Sequence, residues 1–288
     1  AQERLHQLGA SNRHLPIEAQ LDTAVDLIRM ESELQDALAH DQFYLLYQPI
    51  INLTTGAIAG FEALIRWDSP HRGDVTPGQF MALAELTSLV VPIGEWVIKA
   101  GCKALKQIQS ASPKNTFMSF NIASRQIEET AFMPYVLNTI RSANLNPAHV
   151  KLEVLERSLF DSETTLGWIQ ACREENLPLA LDDFGTGYSS LEYLSDYEFD
   201  TLKIDKSFID RITNDQRARN ICQAIIHLSN SLGMTTVAEG IEEPAQAAIL
   251  REMGCTMGQG YLFAKPLDLD KAIALLAQDQ VWLPPVAD

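Results

Sequence analysis

Basic residues are scarce: 22 Lys and Arg stand against 38 Asp and Glu, a formal net charge of −16 over 288 residues. A surface of that sign repels polyphosphate backbones and anionic bilayers, which argues against non-specific binding to a DNA or RNA polymer. Any phosphate ligand needs cations to bring it in. Long apolar runs are also missing. The longest, such as Ser88 to Ile93 with its Pro92, fall far short of the roughly 20 residues that span a bilayer. The chain opens without a basic start, apolar segment and small-residue cleavage site, so no signal peptide is expected. Cysteine is sparse. Cys102, Cys172, Cys222 and Cys255 lie tens of residues apart, with no close pair for a zinc knuckle or redox motif, and read as buried thiols of a reducing cytoplasm. The six histidines include no HExxH-like pair, which disfavours a histidine-based metallohydrolase.

What is present points to a globular domain. A content of 46% hydrophobic and 8% aromatic residues supports a core that buries about three quarters of the unfolded surface in a chain of this size. The length suits one α/β barrel of about 250 residues with a short extension. We expect residues 1–30 to be a helical linker and residues 31–288 the barrel. Leu21, Val25, Ile28, Leu34 and Leu38 recur at helical steps, which reads as a helix packed on the domain or as the end of a linker from an upstream sensory module. The chain begins Ala-Gln rather than Met, which suggests a piece of something longer. A cytoplasmic location is expected, with membrane anchoring of the parent left open.

From Phe43 onward short apolar segments alternate with helical ones. The strand candidates are Phe43–Tyr47, Ile58–Ile65, Phe117–Asn121, Val150–Leu155, Leu179–Asp182, Thr201–Ile204, Thr235–Ala238 and Gly258–Phe263. Helices are expected over Pro77–Leu89, Ile93–Ser110, Ser124–Ala143, Ser162–Glu175, Ser189–Asp196, Asp215–Leu232, Pro244–Met253 and Leu269–Ala277. Eight such strands with intervening helices indicate a closed TIM-like (β/α)8 barrel. Thr54-Thr55-Gly56 reads as a hairpin turn joining the first two strands, which makes the first strand antiparallel.

In such barrels chemistry projects from the carboxyl ends of the strands. Those ends offer Glu62, Asn121, Glu153, Asp182-Asp183, Lys203, Glu239 and Gln259. Carboxylates gathered in a cleft must be protonated, paired or arranged around metal, and one lysine cannot neutralise five of them. Oxygen ligands without histidine or thiolate select magnesium, manganese or calcium. Adjacent Asp182 and Asp183 can both reach one site where the chain turns at the strand end, and one can bridge two ions. A two-ion site stabilises the attacking and leaving oxygens of phosphoryl transfer. Taken alone, the Asp pair before Phe184-Gly185-Thr186-Gly187 also reads as turn chemistry. Lys203 also reads as an interior lysine paired with Glu153, and Glu156 as a buried support for the following loop. Their convergence on strand ends favours the functional reading.

Phe61-Glu62-Ala63-Leu64-Ile65-Arg66-Trp67 resembles the motif of the EAL family, the cyclic di-GMP phosphodiesterases. Tyr47-Gln48-Pro49-Ile50, Asn121 with Arg125-Gln126, Leu152-Glu153 with Glu156, and Asp182 through Leu191 extend the resemblance. So do Leu202-Lys203-Ile204-Asp205, Ala238-Glu239-Gly240, Gly258-Gln259-Gly260-Tyr261 and Lys265-Pro266. The resemblance implies an eight-stranded barrel with an antiparallel first strand, hydrolysis of cyclic di-GMP to linear pGpG, and two divalent cations, Mg2+ or Mn2+, with Ca2+ inhibitory. It implies metal ligation by Glu62, Asn121, Glu153, Asp182, Asp183 and Glu239, and catalysis by Glu239, Lys203 and Asp183. Substrate contacts would come from Gln48, Leu64, Arg66, Gln259 and Pro266. Glu156 would anchor the loop from Asp183 to Leu191, which leads to a homodimer interface. Two departures are mild: Glu153-Val154-Leu155-Glu156 stands where the family commonly has Glu-Leu-Thr-Glu, and Asn121-Ile122-Ala123 where it has Asn-Leu-Ser.

The expected function is therefore a metal-dependent phosphodiesterase acting on cyclic di-GMP under an upstream sensory or regulatory domain. The alternative is a silent module that binds the same dinucleotide without cutting it and signals through the N-terminal helix. An enolase-like enzyme, which shares barrel and magnesium carboxylates, is disfavoured because the motifs match elsewhere.

Overall fold

Alternating and continuous apolar runs become strands wherever both faces find a neighbour, and this chain supplies nine of them among its described residues. The structure, a computed structural model, describes residues 17–112, 115–159, 163–185, 197–278 and 280–283. The expected helix Ser189–Asp196 lies outside them. The chain divides into two compact units, Ala1–Tyr44 with Ile65–Trp96, and Leu45–Leu64 with Val97–Asp288.

The strands are β1 (Phe43–Asn52), β2 (Ile58–Ser69), β3 (Gly73–Val75), β4 (Phe117–Ile122), β5 (Val150–Leu155), β6 (Leu179–Phe184), β7 (Thr201–Ile204), β8 (Thr235–Ala238) and β9 (Met257–Gly258). They form one sheet in the order β1-β9-β8-β7-β6-β5-β4-β2-β3, and the pairing of β1 with β2 closes eight of them into a barrel. β1 runs antiparallel to β9, while β2, β4, β5, β6, β7, β8 and β9 pair parallel in sequence. The hairpin expected at Thr54-Thr55-Gly56 is present. Asn52 Oδ1 accepts from the Thr54 and Thr55 amides at 3.0 and 2.9 Å, and Gly56 takes φ +72°, a conformation glycine adopts without steric cost.

Within the larger unit, Ile50, Val237 and Met257 form a buried cluster with Ala59 and Phe117 packed on it. Two of the helices that follow strands start on a glutamine that folds back. Gln126 Oε1 accepts from the Ala123 amide at 2.7 Å and Gln246 Oε1 from the Glu243 amide at 2.9 Å. These contacts satisfy donors that a helix start leaves open and fix the chain just beyond strands β4 and β8.

In the smaller unit, helix α1 (Ile17–Ala39) runs through the expected boundary at residue 30 without a break. Arg72 ties it down, reaching Asp26 Oδ1 at 2.7 Å and Glu33 Oε2 at 2.5 Å. Phe43, Trp67, Phe80 and Trp96 form an aromatic cluster with centroids 5.7 to 6.2 Å apart, and each such pair contributes about 0.5–1.5 kcal/mol beyond its buried area.

Several expectations need correction. β3, paired antiparallel with β2 through Trp67 and Val75, is too short to show periodicity. The helix expected over Ser124–Ala143 is two, Ser124–Glu128 and Phe132–Ser142, because Glu129 is extended. The last strand stops at Gly258 rather than Phe263, since the backbone of Ile241 approaches Gly260 so closely that a Cβ there would lie 2.1 Å from its carbonyl oxygen. No described helix is long and apolar enough to cross a membrane.

Candidate active site

The barrel gathers the predicted carboxylates around Lys203, whose side chain is almost wholly buried. Glu153 on β5 lies 2.5 Å from its ammonium, Glu239 beyond β8 lies 2.6 Å away, Asp182 on β6 lies 3.3 Å away, and Glu62 on β2 lies 3.8 Å away. Each comes from a different strand. The register explains part of this, since Asn121 pairs with Glu153, and Leu155 with Asp182, at the carboxyl ends.

A ring of amides orients the acids. Asn121 Nδ2 donates to Glu62 Oε1 at 2.7 Å, and Gln259 Nε2 donates to Glu62 Oε2 at 2.7 Å and to Glu239 Oε1 at 3.2 Å. Gln259 thus bridges β2 and the end of β8, and its Oε1 is buried with no hydrogen-bond partner among the described residues. Glu239 leaves β8 at a turn made by Gly240, φ +68°, where a Cβ would meet the Lys206 side chain at 2.4 Å. Only glycine fits there.

Asp182 and Asp183 reach the site by a route the sequence does not reveal. The strand does not turn at Asp182 but continues to Phe184. Between Leu181 and Phe184 its register against β7 slips by one residue, a β-bulge in which two residues oppose one. Asp183 takes φ +57°, a left-handed conformation that aspartate tolerates better than most residues, and its amide donates to Asp182 Oδ1 at 2.9 Å. The bulge aims two successive carboxylates at one place. One oxygen each from Asp182, Asp183 and Glu239 lie within 4.8 Å of one another, an arrangement that can hold a metal ion.

The electrostatics favour a cation. Burial pushes the Glu153 carboxyl up to about 7, opposed by Lys203 and reinforced by Glu62 and Asp182. Burial likewise pushes Glu239 up to about 8, again against Lys203. Burial would lower Lys203, but Glu153, Glu239, Glu62 and Asp182 outweigh it and hold the ammonium well above its ordinary range. Four carboxylates and one ammonium leave a negative excess in a poorly solvated place, and hard oxygen donors fit a divalent cation there.

Glu156, just past β5, accepts from the Gly185 amide at 3.4 Å, and the loop after residue 185 lies outside the described residues. Leu64 shares the face of β2 that carries Glu62. Gln48 and Pro266 flank a two-way backbone bridge between Tyr47 and Leu267, at 2.7 and 2.9 Å. Arg66 belongs to the smaller unit, where its guanidinium donates to the Ile65 carbonyl at 2.7 Å. No hydrogen bond joins Gln48, Leu64, Arg66 or Pro266 to the carboxylates among the described residues. The sequence gives little sign of the buried Lys151 of β5 beyond a lysine at the start of a strand.

Residues 31–266 match the family model described as EAL domain. The cyclic di-GMP phosphodiesterase NbdA of Pseudomonas aeruginosa is 37% identical over 269 residues, covering 92% of this chain and 34% of NbdA. A solved structure titled PaMucR Phosphodiesterase, c-di-GMP complex, is 35% identical with TM-score 0.81, covering 85% of this chain and 99% of that one. The EAL enzyme Bd1971, in a form bound to cAMP and cyclic di-GMP, is 35% identical with TM-score 0.85, covering 95% of this chain and 73% of that one. The chain spans about a third of the length of the curated relatives it matches. With the family model matched over most of its length and its fold shared with these solved structures, the chain belongs to the EAL domain family.

Proposed function

We propose that the chain is a metal-dependent phosphodiesterase that hydrolyses one phosphodiester bond of cyclic di-GMP and releases linear pGpG. The observation that carries this reading is the set of four carboxylates from four strands around Lys203, with Asp182, Asp183 and Glu239 sharing one cation-sized space. Relatives whose names state the same activity support it.

Glu62, Asn121, Glu153, Asp182, Asp183 and Glu239 are the proposed holders of two divalent cations, Mg2+ or Mn2+. Such cations supply Lewis acidity toward phosphate and water. The chain's own residues do the rest. Glu239, raised toward neutrality by burial, is matched to receive a proton from the attacking water near physiological pH, with Asp183 beside it. Lys203 stays charged and offsets negative charge that develops on the phosphoryl oxygens. Gln259 locks Glu62 and Glu239 in position, and its unpaired Oε1 is free to accept a hydrogen bond from water. Gln48, Leu64, Arg66 and Pro266 hold the dinucleotide, and Glu156 anchors the loop that leads to a homodimer interface. Residues 1–30 serve as a helical linker to an upstream regulatory domain of a longer parent, and residues 31–288 as the catalytic barrel, in the cytoplasm.

The test is chromatography of cyclic di-GMP incubated with the purified protein and each cation in turn. Mg2+ or Mn2+ should yield pGpG and Ca2+ should not. Calorimetric binding with no product under any cation would make the chain a receptor and overturn the enzymatic reading.

A further inference from the structure

The amino-terminal end of the barrel, opposite the strand ends that carry Glu62, Asn121 and Glu153, holds a cavity of about 1040 Å³. Phe117, Phe199, Met234 and Met257 give it apolar walls, and Lys151, Thr201 and Thr235 give it a polar patch. Lys151 stands two residues before Glu153 on β5, so both share the inward face of the strand, and it is 9% exposed.

The hydrogen bonds around this ammonium run in one direction. Its nitrogen donates to Thr201 Oγ1 at 2.8 Å and lies 4.4 Å from the centroid of the Phe117 ring. Thr235 Oγ1 donates to the Asp200 carbonyl at 3.1 Å, which leaves the Thr201 hydroxyl to donate to Thr235 Oγ1 at 2.9 Å. The lysine keeps N–H donors beyond the one Thr201 takes, and among the described residues it pairs with no carboxylate. The other charges at the cavity are already engaged: Asp200 Oδ2 accepts from the Leu179 amide at 2.8 Å, and Arg173 pairs with Glu198.

A buried ammonium with no carboxylate in direct contact costs a fold stability, so a stabilising role does not explain its place. An anion from outside does. We propose that this cavity binds a small monoanion with an apolar body, a carboxylate on an aromatic or aliphatic frame, whose charge is met by Lys151 and whose body lies against the apolar walls. A second negative group would face Asp200, which limits the ligand to one. The volume is just above the range, about 300–1,000 Å³, typical of small-molecule sites. This site stands apart from the phosphodiesterase reading and does not depend on it.

The experiment titrates the full chain with 1-naphthoate and with its neutral counterpart 1-naphthalenemethanol by calorimetry. Naphthoate should bind at one site per chain, and Lys151→Met should weaken it about ten-fold or more, the scale of a lost charge-assisted hydrogen bond, while changing the alcohol less than about two-fold. Ala148→Trp, at the exposed mouth of the cavity, should block both ligands with the protein folded, and remains informative if Lys151→Met does not fold. Equal naphthoate binding by wild type and Lys151→Met, no binding by wild type, or displacement of naphthoate by cyclic di-GMP would overturn the proposal.

Discussion

Lys203 and Lys151 stand inside the same barrel, nearly equally buried, and differ in company. Lys203, near the carboxyl ends of the strands, has Glu62, Glu153, Asp182 and Glu239 about it and keeps its charge far above ordinary lysine. Lys151, near the amino ends, is pushed down to about 8 by burial, which the more distant Glu153 and Asp200 offset only in part. Burial is common to both, so the neighbouring carboxylates decide the sign of the shift. One mouth therefore carries surplus negative charge and suits a cation, while the other holds a lysine whose charge is only partly compensated.

Removing the better-paired lysine should break the comparison most severely. Lys203→Met leaves four carboxylates facing one another, and turnover should fall by about 10³-fold or more. Without divalent cations the protein should also lose about 3–5 kcal/mol of stability, measurable by urea unfolding in the presence of a chelator. Glu239→Gln keeps the hydrogen bonding to Gln259 but removes the proton acceptor. Its turnover should drop by about 10²–10⁴-fold with an unfolding curve close to that of wild type.

Titration sharpens the contrast between the two mouths. Glu153 and Glu239 have folded values of about 7 and about 8 against an ordinary 4.5, so the folded chain holds protons that the unfolded chain has released. Their stabilising contribution is complete below about pH 4.5 and is lost as pH rises through 7 to 8. The chelated protein should accordingly melt at a falling temperature between pH 5 and 8. Mn2+ at a hundred times its dissociation constant should restore about 2.7 kcal/mol, several degrees in a chain of this size. The smallest effect belongs to Lys151. Its folded value lies below the ordinary 10.5, so the buried charge weighs on the fold below about pH 8 and the penalty fades toward pH 10.5. Lys151→Met should stabilise the protein by about 1–3 kcal/mol at pH 7, with the gain vanishing by pH 10.5. A gain independent of pH would break the contrast.

Much of the barrel is legible in the sequence because short, mostly apolar segments bounded by loops mark the strands. Val150–Leu155, Thr201–Ile204 and Thr235–Ala238 occur where expected. Once strand ends are located, inward and outward positions follow from the two-residue period, and Glu153, Lys203 and Glu239 come together without further information. The β-bulge at Asp182-Asp183 is not legible, because a register slip belongs to the pairing of two strands and leaves no mark on either alone. The break at Glu129 leaves a fainter mark: Ile127, Phe132, Met133 and Val136 keep the apolar pattern of a helix across it, and Pro134, in the first turn of the second helix, is its one sequence signal. That Lys151 meets a threonine hydroxyl and, among the described residues, no carboxylate is set by residues far along the chain.

The central claim is that carboxylates from separate strands meet closely enough to hold a pair of divalent cations. Electron paramagnetic resonance of bound Mn2+ measures this directly at pH 8. Wild type should take up two ions per chain, and Asp183→Asn, which keeps the bulge but removes the charge, should lose at least one of them. A folded wild type that binds no Mn2+, or an Asp183→Asn variant that binds as many ions as wild type, would contradict the account.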